Sequence, residues 1–340
     1  MRFLVTGGAG YIGSHACLRL LDDGHVVTVV DNLVRGHRGA VDALRAAGGA
    51  RLAFLEADLA DTATLERALR DDRIDTVLHF AGLTNVGESM EQPLEYHRTN
   101  CAGGISLLQA MKTTGVRRII FSSTAATYGE PPQSAMPLTE STPQCPINPY
   151  GRSKLQFEEV LRGECAALKE SSPLAAIALR YFNVAGADAK ERVGEDHRPE
   201  THLIPICLQV ALGARPHLTI YGNDYETPDG TCVRDYVHVE DLVDAHLAAL
   251  TALTPAQFRC WNVGIGRGYS VRAVLESCRR VTGHAIPAID GPRRAGDPAA
   301  LYADPTAIMR DMHWRAQWTD LDRIVSSAWK WMRAHPRGYA

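Results

Sequence analysis

Residues 2–15 read Arg-Phe-Leu-Val-Thr-Gly-Gly-Ala-Gly-Tyr-Ile-Gly-Ser-His, and the fold follows from this stretch. The first five residues form an apolar run of strand length. It passes directly into Gly7, Gly10 and Gly13, spaced GxxGxxG, and residues 14–21 then repeat apolar positions with a helical period. A strand, a glycine turn and a helix in that order present backbone amides at a helix N-terminus with no Cβ in the way, which suits a pyrophosphate.

Working outward, residues 26–30 form a second apolar run that ends in Asp31, and residues 52–55 a third that ends near Asp58. Runs at 76–80, 117–122 and 174–180 continue the alternation, with helical segments between them and a long amphipathic stretch at 149–169. Six strands alternating with helices predict an α/β fold with a doubly wound parallel sheet. An acidic residue at the tip of the second strand can accept both hydroxyls of an adenosine ribose and repels a 2′-phosphate, so Asp31 points to NAD as the dinucleotide. Arg35 and Arg38 beside it read as a solvated loop. Beyond Asn183 proline and glycine become frequent, and 187–199 and 222–230 read as loops. The expected division is a dinucleotide-binding domain at 1–183 and a smaller α/β substrate-binding domain at 184–340, with 234–263 returning to the first domain.

The composition narrows the class. In 340 residues, 45% are hydrophobic and 22% charged, and 36 Lys and Arg against 39 Asp and Glu leave a net charge of -3. This suits a folded globular chain, and no basic block is present to engage nucleic acid. No apolar stretch reaches the roughly 18 residues of a membrane span, and the N-terminus enters a strand rather than a leader, so no membrane partner is expected. Eight scattered cysteines with no CxxC pair suggest free thiols and a cytoplasmic setting.

Tyr150 and Lys154 stand four apart at the start of a helix opened by Pro149, so both project from one face. The chain has only five lysines, which makes this spacing informative. A free phenol ionises near pH ~10, about three units or 4 kcal/mol too high for a base at neutral pH. An ammonium roughly 4 Å away at an effective dielectric of ~20 supplies a term of that order. Ser122-Ser123-Thr124 ends the fifth strand at the carboxyl edge, where open sheets place ligands, and Thr124 is the hydroxyl best placed to meet the reacting oxygen. His238, Asp241, Asp244 and His246 fit no metal-ligand spacing, and no metal is expected.

Further motifs carry a resemblance. TGGAGYIGSH at 6–15, HFAG at 79–82, SSTAATYG at 122–129, PYGRSK at 149–154, RYFNVAGA at 180–187, PETHLIP at 199–205, GNDYETPDGTCVRDYVHVEDL at 222–242, RRAGDP at 293–298 and HPRGY at 335–339 resemble the extended short-chain dehydrogenase/reductase superfamily, and within it the UDP-glucose 4-epimerase family. The resemblance spans almost the whole chain. It implies a Rossmann fold and a homodimer, with apolar stripes on 93–114 and 149–169 available for pairing. For NAD it implies contacts from Gly7, Gly10, Tyr11, Ile12, Gly13, Asp31, Asn32, Asp58, Leu59, Phe80, Ala81, Gly82, Asn100, Tyr150, Lys154 and Tyr181. For the UDP-hexose it implies contacts from Thr124, Tyr150, Asn183, His202, Leu203, Thr219, Tyr221, Arg234, Arg294, Asp297 and Leu301.

By the same resemblance Tyr150 is the catalytic base, Lys154 lowers its pKa, and Thr124 replaces a more usual serine. Two positions depart from the pattern. Thr84 stands where relatives often carry lysine, and Leu301 stands where a tyrosine goes with plain hexoses and a smaller residue with N-acetylated ones. The expected reaction is interconversion of UDP-glucose and UDP-galactose through a 4-keto sugar, the alternatives being epimerisation of UDP-N-acetylglucosamine or UDP-glucuronate. A 4,6-dehydratase would need an Asp-Glu pair where this chain has Ala125-Ala126. A non-catalytic NAD sensor would not need the Tyr150–Lys154 pair.

Overall fold

The computed structural model describes residues 1–167, 173–294 and 297–339. Seven parallel strands form its main sheet: β1 (Arg2–Thr6), β2 (Val26–Asp31), β3 (Leu52–Glu56), β4 (Thr76–His79), β5 (Arg118–Ser122), β6 (Ala175–Tyr181) and, after an excursion into the second lobe, Phe258–Val263. Their order is β3-β2-β1-β4-β5-β6 followed by Phe258–Val263 at the far edge. The chain therefore winds outward from β1 to β3 and then crosses back to β4 on the other side of β1.

Both faces of this sheet are covered at its central strands, which therefore read as mostly apolar runs, while the edge strand β3 is part-exposed. Side chains alternate between two cores. Phe3 and Val5 of β1, Val27 and Val29 of β2 and Ile177 and Leu179 of β6 join one core with the helices Tyr11–Asp22 and Val239–Ala249. Leu4, Val30, Ile119, Phe121 and Ala178 face the other, against Thr62–Asp71, Gly103–Thr114 and Pro149–Cys165. The predicted end of that last helix at Lys169 lies outside the described residues; the helix is assigned to Cys165. The stretch 93–114 is not one helix: Pro93–His97 and Gly103–Thr114 are joined by a wide turn at Arg98–Ala102.

The second lobe holds β7 (Asn183–Ala185), β8 (Leu218–Tyr221), β9 (Val233–His238), β10 (Phe258–Val263, the returning edge strand), β11 (Gly268–Ser270), β12 (Ala288–Gly291) and β13 (Ala300–Leu301) in chain order, β10 alone belonging to the main sheet. β8 and β12 pair in parallel, while β9 takes β11 and β13 along its first half and β7 along its second. Helices Leu203–Ala211, Val271–Thr282 and Leu321–Ala334 supply most of this lobe's core.

The return expected for 234–263 therefore needs correction. Val239–Ala249 packs on Tyr11–Asp22, with Asp244 paired to Arg19, and β10 joins β6, but β9 stays in the small sheet. In the main sheet Arg180 of β6 has Glu158 as its buried partner, whereas Arg234 and Asp235 find theirs outside that sheet. In the small sheet Arg234 can face the cleft, and the Asp235 carboxylate accepts amides from Ile265 (2.9 Å) and Gly266 (3.1 Å).

One buried ion pair fixes the helix Pro149–Cys165 on the sheet. Arg180 of β6, 2% exposed, donates to both oxygens of the fully buried Glu158, at 3.0 and 2.6 Å, and Ser123 donates to the same carboxylate at 2.5 Å. Removing one member of such a pair leaves a buried charge without its partner. Glu158→Ala is expected to cost about 3–5 kcal/mol in urea unfolding, and the double variant Glu158→Ala/Arg180→Met to recover much of that loss.

Candidate active site

At the carboxyl ends of β1 and β4 the connections diverge, and the crevice between them is where an open α/β sheet binds its ligand. A continuous cleft of about 1230 Å³ runs from this crevice into the second lobe. Single small-molecule sites span about 300–1,000 Å³, so this volume suits two ligands side by side.

The glycine turn forms one end. Gly10 precedes the helix Tyr11–Asp22 and no side chain caps it, so the first-turn amides remain available to an anion. Two glycines are sterically required. Gly7 has φ of +71°, and a Cβ on it would lie 2.5 Å from the Ala81 nitrogen; a Cβ on Gly13 would lie 2.1 Å from the Gly7 carbonyl oxygen. Asp31 at the tip of β2 is oriented by amides from Ala9 (3.0 Å) and Leu33 (2.9 Å). Burial pushes its pKa up, and those two amides oppose the shift. Asn32 donates to Asp58 at 2.7 Å, and both line the cleft with Leu59. Arg35 is paired with Glu88 and Arg38 with Glu56, so neither guanidinium is held at Asp31. An uncapped helix start, close backbone approach and a ribose-binding carboxylate fit NAD.

Phe80, Ala81, Gly82 and Thr84 continue the wall after β4. Asn100, expected to touch the cofactor, lies behind this wall instead. It is 1% exposed, accepts the Leu83 amide at 2.7 Å, and donates to the Leu83 carbonyl (2.9 Å) and the Ser153 hydroxyl (3.0 Å). Its one amide group satisfies both polar atoms of the Leu83 backbone, which positions the loop.

Of the three hydroxyls after β5, only Thr124 lines the cleft. Ser123 is committed to Glu158, and Ser122 bonds the Tyr181 hydroxyl at 2.9 Å. Asn148 caps the next helix by accepting the Gly151 amide at 2.8 Å, and Pro149 opens it, which sets Tyr150 and Lys154 on its cleft-facing side. Burial is the largest influence on the Tyr150 phenol and pushes its pKa up, while a hydrogen bond with Thr124 opposes it. The Lys154 ammonium, wholly buried, falls to about 8; it donates to the Ser122 carbonyl at 3.0 Å and lies 4.8 Å over the Phe121 ring. The ammonium is drawn toward the strand end, and the influence that opposes the rise of the Tyr150 pKa comes from Thr124.

The other end is cationic. Arg234 on β9 pairs with Asp297 at 2.5 Å, and the Arg294 guanidinium lies 3.9 Å over the Tyr221 ring. Asn183, Leu203 and Thr219 line the same space, and Leu301, paired in register with Arg234, packs against Ala125, Tyr128, Leu138 and Phe182. Ala295 and Gly296 of the RRAGDP motif lie outside the described residues. His202 contacts the carboxylates of Glu200 (2.9 Å) and Glu195 (3.1 Å).

Glu195, His197 and Glu200 also line the cleft, and the sequence reading passed over them as part of a loop. The signal was present in their spacing with His202, Glu-x-His-x-x-Glu-x-His. The four residues set aside as metal ligands have other roles. His238 and Asp241 accept backbone amides from Glu240 and from Gln317 and Trp318, Asp244 pairs with Arg19, and His246 bonds the Leu242 carbonyl.

Known proteins share this architecture over its full length. The UDP-glucose 4-epimerase of Halalkalibacterium halodurans is 48% identical, over all of this chain and 98% of the relative. A probable UDP-arabinose 4-epimerase of Oryza sativa is 46% identical, over 99% of this chain and 83% of that one. The crystal structure of a UDP-glucose 4-epimerase from Stenotrophomonas maltophila, with bound NAD and formylated UDP-arabinopyranose, superimposes with a TM-score of 0.93 at 41% identity, covering 99% of each chain. Residues 3–264 match the model of the NAD dependent epimerase/dehydratase family, and the chain belongs to that family.

Proposed function

We propose that this enzyme interconverts UDP-glucose and UDP-galactose, by oxidation at C4 of the sugar, rotation of the 4-keto sugar, and reduction from its other face. The observation that carries this reading is the opening of Thr124, Tyr150 and Lys154 into the one cleft that also holds an uncapped glycine turn with Asp31 and the Arg234 and Arg294 guanidinium groups. In this reading residues 1–183 with Phe258–Val263 hold NAD, and most of 184–340 holds the UDP-sugar. Bound NAD supplies the acceptor for the electron pair of the C4–H bond and returns it.

The chain's own residues carry the rest. Tyr150 accepts the proton of the C4 hydroxyl, and Thr124, hydrogen-bonded to the phenol, holds the reacting oxygen in line. Lys154 would hold the nicotinamide ribose, and its positive charge, on the helix face it shares with Tyr150, favours the ionised phenol. Arg234 and Arg294 hold the diphosphate. The keto sugar can turn because the groups near Thr124 and Tyr150 offer it few directional contacts: Ala125, Ala126, Phe182 and Leu301 form an apolar wall. The missing carboxylates at Ala125 and Ala126 leave no acid and base for dehydration.

Two settings complete the reading. Leu94, 84% exposed, and Ile105, 37% exposed, lie on the segments offered for pairing, which supports a homodimer. All eight cysteines are free, which supports a cytoplasmic place in galactose metabolism.

Incubating the purified protein with UDP-galactose and no added cofactor should produce UDP-glucose, seen in the anomeric NMR signals. Tyr150→Phe should lose at least a thousand-fold of this turnover, on the order of ~4 kcal/mol, while UDP binding is kept; retention of most activity would overturn the base assignment. The same assay with UDP-N-acetylgalactosamine reads the role of Leu301.

Lys154 gives a separate prediction. Its folded pKa of about 8 is below the ordinary 10.5, so below pH 8 the lysine is charged in both states and burial of the charge weakens the fold. From pH 8 to 10.5 only the unfolded chain holds the proton, and stability rises with pH. Without the cofactor, Lys154→Met should be more stable than the parent at pH 7, with the gap narrowing by pH 9.5 in urea unfolding.

A further inference from the structure

We propose that Glu195, His197, Glu200 and His202 form a binding site for one divalent transition-metal ion of the Zn²⁺ class. The four side chains come from a single eight-residue segment between the first turn of the helix Tyr11–Asp22 and the start of the helix Leu203–Ala211. One donor atom from each lies within 4.8 Å of the other three.

The distances have the right scale for ligands around a common ion. The four imidazole-to-carboxylate separations are 3.1 Å for His197 to Glu195, 3.7 Å for His197 to Glu200, 3.1 Å for His202 to Glu195 and 2.9 Å for His202 to Glu200. A tetrahedral ion with bonds of 2.0–2.1 Å sets its ligands about 3.3–3.4 Å apart along each edge. These four separations straddle that value, although the two involving Glu200 use different oxygens of its carboxylate, and every chosen donor atom lies within 4.8 Å of the rest.

Imidazole–carboxylate pairing accounts for part of the arrangement: His202 bonds Glu200 at 2.9 Å, and Glu195 Oε1 lies 3.1 Å from Nδ1 of both His197 and His202. The Glu195–His197 contact lacks hydrogen-bond geometry, and Glu195 is only 7% exposed. A buried carboxylate oxygen without a well-aligned donor is costly. Two atoms at contact distance that do not point at each other are placed to share a third, and a cation is the third atom that satisfies an imidazole lone pair and a carboxylate together.

The surroundings are those of a supported ligand set. Glu200 Oε1 also accepts the amides of Thr201 (2.7 Å) and His202 (2.8 Å), which fixes the carboxylate as metal-ligand carboxylates are commonly fixed. The Tyr11 ring meets His197 edge-on at 6.1 Å and the two imidazoles lie 4.8 Å apart. Two imidazoles with two carboxylates favour Zn²⁺ and its neighbours over Mg²⁺ or Ca²⁺, which prefer all-oxygen sets. Two carboxylates also balance a dication, leaving the site neutral.

The test is equilibrium dialysis of the full-length protein against buffered Zn²⁺, with metal counted by mass spectrometry. One Zn²⁺ per chain is expected in the parent. Glu195→Gln and His197→Asn, two independent variants whose folding is checked by circular dichroism, should each weaken binding at least ten-fold, and Mg²⁺ should not compete. Co²⁺ in place of Zn²⁺ should give the strong visible bands of a four-coordinate site without the near-ultraviolet band of a thiolate ligand. Absence of retained Zn²⁺, unchanged binding in both folded variants, or a thiolate band assigning the ion to the cysteines would each overturn the proposal. None of these readouts requires turnover.

Discussion

The strand order imposes the constraint on which the rest of the molecule depends. Because the chain leaves β3 and re-enters the sheet at β4 on the far side of β1, the segments after β1 and β4 must run in opposite directions. No loop can cover the gap between them. The glycine turn packs against the Ala81 backbone across that gap so closely that a Cβ on Gly7 would not fit, and a ligand placed there meets amides from one side and the end of β4 from the other. The remaining elements of the cleft are positioned by their distance from this crevice, counted in strands.

Holding charge inside such a structure requires compensation, and the two buried cations of the second half of the sheet are treated differently. Arg180 has a bidentate carboxylate, a tyrosine ring and the Gln144 side chain around it, and its role is to lock the helix Pro149–Cys165 onto β6. Lys154, on the same helix, has only a carbonyl and a ring face, and its proton is correspondingly loosened. A fully paired charge serves as a clamp, while an underpaired one is available to respond to a ligand. The helix thus carries its rigidity at position 158 and its chemistry one and two turns earlier, at 154 and 150, at some cost in stability.

The main sheet was legible because its central strands are buried on both faces and therefore appear as mostly apolar runs; the assigned strands differ from the expected ones by a residue or so at their ends. The strand at 233–238 was misplaced because pairing between distant segments leaves no local mark. The cleft was legible where chemistry demands particular residue types at fixed spacing, as with the glycines, Asp31 and Tyr150 with Lys154. It was less so where a role depends on which way a side chain turns. Asn100 is a polar residue near the cofactor end in sequence and in space, but its amide is committed to Leu83, and only the fold shows this. The direction taken by the Lys154 ammonium is of the same kind.

The cleft's two ends differ in a way that bears on how a sugar could be turned inside it. Attraction between guanidinium groups and a diphosphate is strong and tolerant of small displacements, so Arg234 and Arg294 can hold the nucleotide through a change of sugar orientation. Hydrogen bonds to ring hydroxyls are directional and would select one face. The wall near Tyr150 supplies methyl groups, Phe182 and Leu301 in place of such donors, and contacts of this kind are nearly indifferent to orientation. In the proposed reaction Thr124 and Tyr150 make their directional demands on the same oxygen position, so either face of the sugar can be presented to the same pair.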